Sequence, residues 1–217
     1  MESPSRIQVE RKGRYVLGFL MLSLTLGFSI GGEVSNDAPT ADWCEGPTRY
    51  LLMAQGDKAY KKAKTEEKRG KLIAEFWAQR DPTPGTPENE YRDSFYERVK
   101  EANSRFNEPG NAGWATDRGM ILLTAGYPDT RSGVDGTGER WLYQRSFPVK
   151  GIQNPDVKVS VTFSAVFDKS ASGEYKMVRR SDGSGGLALL EGIQGLSLGE
   201  RVKFSMHRTA MPETKPE

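Results

Sequence analysis

Sixteen residues from Tyr15 to Ile30 run without a charge, directly behind Arg6, Arg11, Lys12 and Arg14. A basic start followed by an uninterrupted apolar run is the layout of an export signal. As a helix rising about 1.5 Å per residue it would reach roughly 24 Å, short of the roughly 30 Å of hydrocarbon in a bilayer. Residues 1–31 are therefore expected to be a signal peptide cut after Ser29-Ile30-Gly31, with an uncleaved N-terminal membrane anchor through residues 15–30 as the alternative. Either reading exports the protein, leaving it periplasmic or membrane-anchored and facing outward. Glycine, proline and polar residues without a period fill 32–47, which reads as a flexible tether.

Between Asp57 and Gln79 the apolar positions Ala59, Tyr60, Ala63, Leu72, Ile73, Phe76 and Trp77 fall on one helical face, with Gly70 a candidate break into two helices. The charges from Lys58 to Lys71 form the solvated side of that pattern. Pro82, Pro84 and Pro87 then fix a stiff corner. The next helix is expected to take Thr86 as N-cap and Pro87 as its first residue, with Glu88 and Glu90 as first-turn acids. Its core stripe is Tyr91, Phe95, Val99, Ala102 and Phe106.

After a breaker-rich stretch, Met120–Ala125 reads as a buried strand ending at the turn Gly126-Tyr127-Pro128-Asp129. A glycine-rich loop leads to a strand at Trp141–Arg145. From Val157 to Phe167 apolar and polar residues alternate, as they do in a strand with one wet face. Tyr175–Arg179 is expected to pair with it. Val202, Phe204 and Met206 are expected to mark a last strand, within a domain spanning 48–208 and followed by a polar tail at 209–217. This order predicts an α+β domain, with N-terminal helices packed on one face of an antiparallel sheet of about four or five strands.

Charge changes the picture of partners. Residues 1–31 hold four of the 31 basic residues and two of the 29 acidic ones, so the remainder carries 27 of each and is neutral. Nothing in the balance then favours nucleic acid or an anionic surface. Cys44 is the only cysteine, so no disulfide forms within the chain, and it lies too far beyond Ile30 to be a lipid-bearing cysteine. His207, the sole histidine, is expected at the surface, which leaves no histidine triad or zincin motif. Gly183-Ser184-Gly185-Gly186 lacks the lysine of a phosphate loop, the spacing of a dinucleotide fingerprint and the first glycine of a nucleophile elbow, so it reads as a loop and no cofactor is expected.

Two blocks stand out: Phe76-Trp77-x-x-Arg80-Asp81-Pro82-Thr83-Pro84-Gly85-Thr86-Pro87-Glu88-Asn89-Glu90, and Gly113-Trp114-Ala115-Thr116-Asp117-Arg118-Gly119. Together they resemble the bacterial GWxTD domain family, whose name is spelled by Gly113, Trp114, Thr116 and Asp117. The likeness runs from about Tyr50 to Val178, although Tyr50-Leu51-Leu52-Met53 lacks an acidic helix start. The resemblance implies an exported envelope protein in a family without an established activity.

Physically, Gly113 and Gly119 permit backbone conformations that other residues resist, and Thr116 and Asp117 can bond nearby N–H groups in a turn, which describes a rigid elbow. A functional reading has Trp114 lining a groove with Asp117 and Arg118 beside it. Arg80 and Asp81 read as a cap or salt bridge at a helix end. Asp81, Glu88, Glu90 and Asp117 could instead converge as carboxylates for acid/base work or for a hard cation. The leading expectation is a non-enzymatic envelope module that binds another envelope protein or a cell-wall component through its sheet and the Trp114 elbow. The competing one is a hydrolase using a cleft around Asp81 and Asp117.

Overall fold

The computed structural model describes residues 43–52, 54–134, 137–148, 154, 156–178 and 186–215. The apolar run Tyr15–Ile30 and residues 183–185 of the glycine cluster lie outside them. Among the described residues no helix is long and apolar enough to cross a membrane.

A 3-10 turn at Pro47–Tyr50 precedes helices α1 (Ala54–Lys62), α2 (Glu66–Ala78) and α3 (Glu90–Arg105). The break between α1 and α2 falls ahead of Gly70, because the Thr65 hydroxyl accepts from Lys68 N at 3.3 Å and starts α2 there. Helix α3 is capped by Asn89, whose Oδ1 accepts from Arg92 N at 2.9 Å, and not by Thr86. The Thr86 hydroxyl is spent inside the proline corner, on the Thr83 carbonyl at 3.1 Å. The α3 stripe is buried at all five predicted positions. Two residues at the end of the expected tether are packed instead. Trp43 and Cys44 are buried, with the indole 5.1 Å from the Tyr60 ring and edge-on to Phe76 at 5.3 Å.

Two expected strands are helices. Met120–Ala125 lies in α4 (Asp117–Ala125), which buries Arg118, Gly119, Ile121, Leu122, Leu123 and Ala125. Only Asp117, Met120 and Thr124 on one side of it are partly exposed, and Met120 is apolar, so the short run shows little polar period and cannot be told from a buried strand. Val202–Met206 falls on α6 (Leu198–Ser205) and its C-cap, and Ser197 with Glu200 closes a capping box at its start. Between them lies α5 (Gly186–Gln194), a helix absent from the sequence expectations. Gly126, at φ 76°, ends α4 with its Cα against the Ser205 carbonyl, and a side chain would not fit there.

The sheet has the order β4-β3-β2-β1-β5, with β1 at Thr130–Val134, β2 at Gly138–Pro148, β3 at Lys158–Lys169, β4 at Tyr175–Met177 and β5 at Thr214–Lys215. Strand β1 occupies part of the stretch expected as a glycine-rich loop. The sheet is mixed where antiparallel pairing throughout was expected, since β5, from the expected polar tail, adds to β1 in parallel. Arg131 helps to hold that tail, donating to the Pro212 carbonyl at 3.3 Å.

The register of the long β2–β3 hairpin decides what is exposed. Trp141 faces Ala165, Tyr143 faces Phe163, Arg145 faces Val161 and Phe147 faces Val159. Near Trp141 this face is sealed by Phe106, whose ring lies 5.6 Å away, and near Tyr143 by Phe204 at 6.1 Å. Further along, the hairpin outruns the helices. Val159, on the same face, is 49% exposed and Val157 39% exposed. The alternation expected from Val157 to Phe167 is thus real as geometry, but only its Phe167 half is buried.

Candidate functional site

The first motif block is a brace between α2 and α3. The Arg80 guanidinium lies 3.5 Å from the Phe76 ring centre, donates to the Phe76 carbonyl at 2.8 Å and to the Leu51 carbonyl at 3.4 Å. Asn89 serves both helices, its Nδ2 donating to the Trp77 carbonyl at 2.9 Å while its Oδ1 caps α3. Asp81 Oδ1 accepts from Thr83 N at 2.9 Å and folds the corner back on itself. Glu88 is exposed, and Glu90 occupies the first turn of α3 beside the positive helix end.

The second block is an elbow between α3 and α4. Asn107 Oδ1 accepts from Gly113 N at 2.7 Å and Asn103 Oδ1 from Trp114 N at 3.1 Å, so the end of α3 grips the chain by two consecutive amides. The Thr116 hydroxyl donates to the Gly113 carbonyl at 2.8 Å and accepts from Gly119 N at 3.1 Å, which starts α4. Trp114 is half-buried, 6.2 Å from the Tyr50 ring and covered by the Arg49 guanidinium at 4.8 Å. Asp117 reaches across to the sheet, where its Oδ2 accepts from Met177 N at 2.7 Å. Asp117→Ala should cost about 2 kcal/mol in urea unfolding, because it strands the β4 amide and removes the first-turn acid. A loss below about 0.5 kcal/mol would show that this bond does not fasten β4.

Behind the elbow lies a buried ionic network that no motif or spacing announces. Arg118 sits 3.6 Å from Glu108 and 3.7 Å from Glu139, and Glu139 also pairs with Arg131. The Arg118 guanidinium is sandwiched between Tyr175, 3.6 Å from its ring centre, and Phe106 at 4.7 Å. Burial pushes its pKa down, while Glu139, Tyr175 and Glu108 hold it up. Glu108 Oε1 further accepts from Tyr175 N at 3.0 Å. A second anchor forms at Asp129, which accepts from Arg145 Nη1 and Gln144 N, each at 2.6 Å, while Arg145 Nε donates to the Phe204 carbonyl at 3.2 Å. That arginine ties α6 to the sheet.

The structure thus unites Arg118 with carboxylates outside both motif blocks. Among the described residues, Asp81, Glu88, Glu90 and Asp117 form no cluster able to hold a metal ion. Among the described residues the cluster whose ligand atoms gather is Cys44, Glu45 and Asp57, and Lys61 already lies 2.8 Å from Glu45 and 3.1 Å from Asp57. Burial and the two carboxylates raise the Cys44 thiol pKa, which opposes the thiolate a metal requires. His207 is exposed, 3.6 Å from Asp129.

Beside the exposed end of the hairpin, a groove of about 630 Å³ runs between β2, β3 and α6, lined by Phe147, Ser160, Val161, Lys203, Phe204 and His207 among others. Its lining combines the apolar Phe147, Val161 and Phe204 with polar and charged side chains. Neither Asp81 nor Asp117 lines it.

These features define an α+β domain whose two sequence blocks do structural work, as a helix brace and as an elbow pinned to the sheet. The GWxTD domain model matches residues 37–185, and the chain belongs to that family. No curated protein and no solved structure matches it. Helices α5 and α6 and strand β5 lie beyond the matched residues.

Proposed function

We propose that this GWxTD protein is exported or membrane-anchored in the bacterial cell envelope and works there by contact, without catalysis. Its partner is another envelope protein or a cell-wall component, seated in the groove between the β2–β3 hairpin and α6. The observation that carries this reading is the hairpin's overrun: it leaves Val157 and Val159 in water beside a groove lined in part by Phe147, Val161 and Phe204. The basic residues ahead of the apolar run at Tyr15–Ile30 support export. The hydrolase reading gains no support, since Asp81 and Asp117 each accept a backbone N–H.

A photo-activated cross-linker at Lys203, on the groove, should give a discrete adduct in intact cells, whereas one at Lys71, on the exposed side of α2, should not. Val159→Asp should weaken the Lys203 adduct at least tenfold while changing unfolding free energy by less than about 0.5 kcal/mol. An adduct that collapses after muramidase digestion identifies a cell-wall partner; one that survives identifies a protein. Equal labelling from both positions, or an adduct indifferent to Val159→Asp, would sink the groove as the contact surface. Sequencing of the mature N-terminus in the same cells should begin at Gly32 for the secreted form and at the natural start for the anchored form. Retention in the cytoplasm would remove the envelope assignment.

A further inference from the structure

Strand β3 pairs with β2 from Lys158 to Asp168 on one side, but on the other side β4 pairs only with Phe167, Asp168 and Lys169. The Val178 amide donates to the Val166 carbonyl at 2.8 Å, so even-numbered residues of β3 aim their backbone groups at this outer edge. The Lys169 amide, donating to the Thr137 carbonyl at 2.8 Å, points the other way. The β2–β3 register runs without a bulge, which carries the same parity back to Lys158. Among the described residues nothing bonds the outward N–H and C=O groups of Lys158, Ser160 and Thr162, and all three residues are exposed. Sheets usually guard such an edge with prolines, bulges or several charges. From residue 158 to residue 167 there is no proline, and Lys158 is the sole charge. The opposite edge of the sheet is already covered, by β5 on β1.

We propose that two copies of this chain join through this edge, β3 running antiparallel to the second copy's β3 about a two-fold axis at Ser160. Ser160 then faces the second copy's Ser160, and Lys158 faces the second copy's Thr162, so the outward groups exchange hydrogen bonds. Val159 enters a closer, non-hydrogen-bonded pair with the second copy's Val161, and Val157 faces the second copy's Phe163. This register pairs the exposed stretch from Lys158 to Thr162 with itself, gives both exposed valines apolar neighbours and sets no charge opposite a like charge. An axis at Lys158 would oppose two lysines. An axis at Thr162 would oppose Lys158 to Val166, whose carbonyl is already bonded to Val178. A two-fold contact of this kind closes as a dimer with one continuous sheet. The inference rests on the same hairpin overrun as the groove reading, but uses the strand's edge in place of the groove.

Sedimentation equilibrium of the full chain in a neutral detergent should show a dimer at micromolar concentration. Lys158→Pro, which deletes an N–H pointing away from β2, should raise the dissociation constant at least tenfold. Thr162→Lys, which faces the second copy's Lys158, should do the same, and Thr162→Glu should lower it; these exposed changes serve should Lys158→Pro unfold the chain, as read by circular dichroism. Disulfide trapping separates edge pairing from association of the apolar run Tyr15–Ile30. Ser160→Cys should cross-link under mild oxidation, because the Cα atoms of a hydrogen-bonded pair lie about 5.5 Å apart. Thr162→Cys should not, since its counterpart lies about 14 Å away along the strand. The natural chain, whose Cys44 is buried, sets the background. A monomer throughout the micromolar range, a dimer indifferent to the folded edge variants, or Thr162→Cys cross-linking as readily as Ser160→Cys each overturns the proposal. A monomer that still gives the Lys203 adduct in cells sinks the dimer alone, and a dimer without that adduct sinks the groove alone.

Discussion

Replacing Gly119 or Gly113 by alanine should each cost about 3 kcal/mol, the upper range for forcing extra volume into a packed interior. A Cβ on Gly119 would fall onto the Gly113 carbonyl, with the Trp114 Cα only 2.8 Å away. A Cβ on Gly113 would meet the Ala102 carbonyl, with its carbon at 2.5 Å and the Asn103 Cα at 2.8 Å. In both cases the obstacle is backbone, which cannot swing aside as a long side chain does. For Gly113 the elbow would have to lift off α3, breaking the bonds from Gly113 N to Asn107 and from Trp114 N to Asn103, and for Gly119 the first turn of α4 would have to move off the elbow, breaking the bond from Gly119 N to the Thr116 hydroxyl. Gly70 supplies the control: it lies inside α2, and a methyl there would have nothing within 4 Å, so Gly70→Ala should stabilise by up to about 1 kcal/mol. Urea unfolding of the three variants separates the cases. A loss under about 1 kcal/mol would mean, for Gly113→Ala, that the contact with α3 is slack and, for Gly119→Ala, that the contact between α4 and the elbow is.

Arg118→Ala should cost about 3–5 kcal/mol, because it strands buried carboxylates instead of merely deleting a contact. Glu139 keeps Arg131, but Glu108 is left with the Tyr175 amide as its sole described partner. The side chain also fills the space between Tyr175 and Phe106, so packing is lost along with charge. Adding Glu108→Gln to Arg118→Ala should recover about 1 kcal/mol or more, since the neutral amide no longer needs a cation. A double-mutant cycle measures this directly, and strictly additive losses would show that the two residues do not interact.

Much of the α-helical half was legible. The α3 stripe and the proline corner follow from local rules: spacing fixes a face, and proline fixes φ. The exposed polar positions of β3 were equally plain, although the burial of its valines was not. The elbow's composition pointed to its structural role through two glycines and two short hydrogen-bonding side chains. The alternation of Val202, Phe204 and Met206 pointed to a strand, whereas a capping box of Ser197 and Glu200 starts α6 there. Helix α4 was harder to read, because its partly exposed face is only Asp117, Met120 and Thr124, one of them apolar, and the rest is buried.

The sequence by itself determined the local units, because capping, proline geometry and hydrophobic spacing act over a few residues. It also determined the family, through two motif blocks in a fixed order. Only the tertiary structure decided what those units face. Arg118 of α4 meets Glu139 of β2 and Glu108 of the connection after α3, and Arg145 reaches the Phe204 carbonyl 59 residues away. Such pairings depend on how helices and strands are stacked, which no local pattern encodes. The same holds for Val159, which is apolar in the sequence and stands in water because the hairpin extends past the helices that cover Trp141.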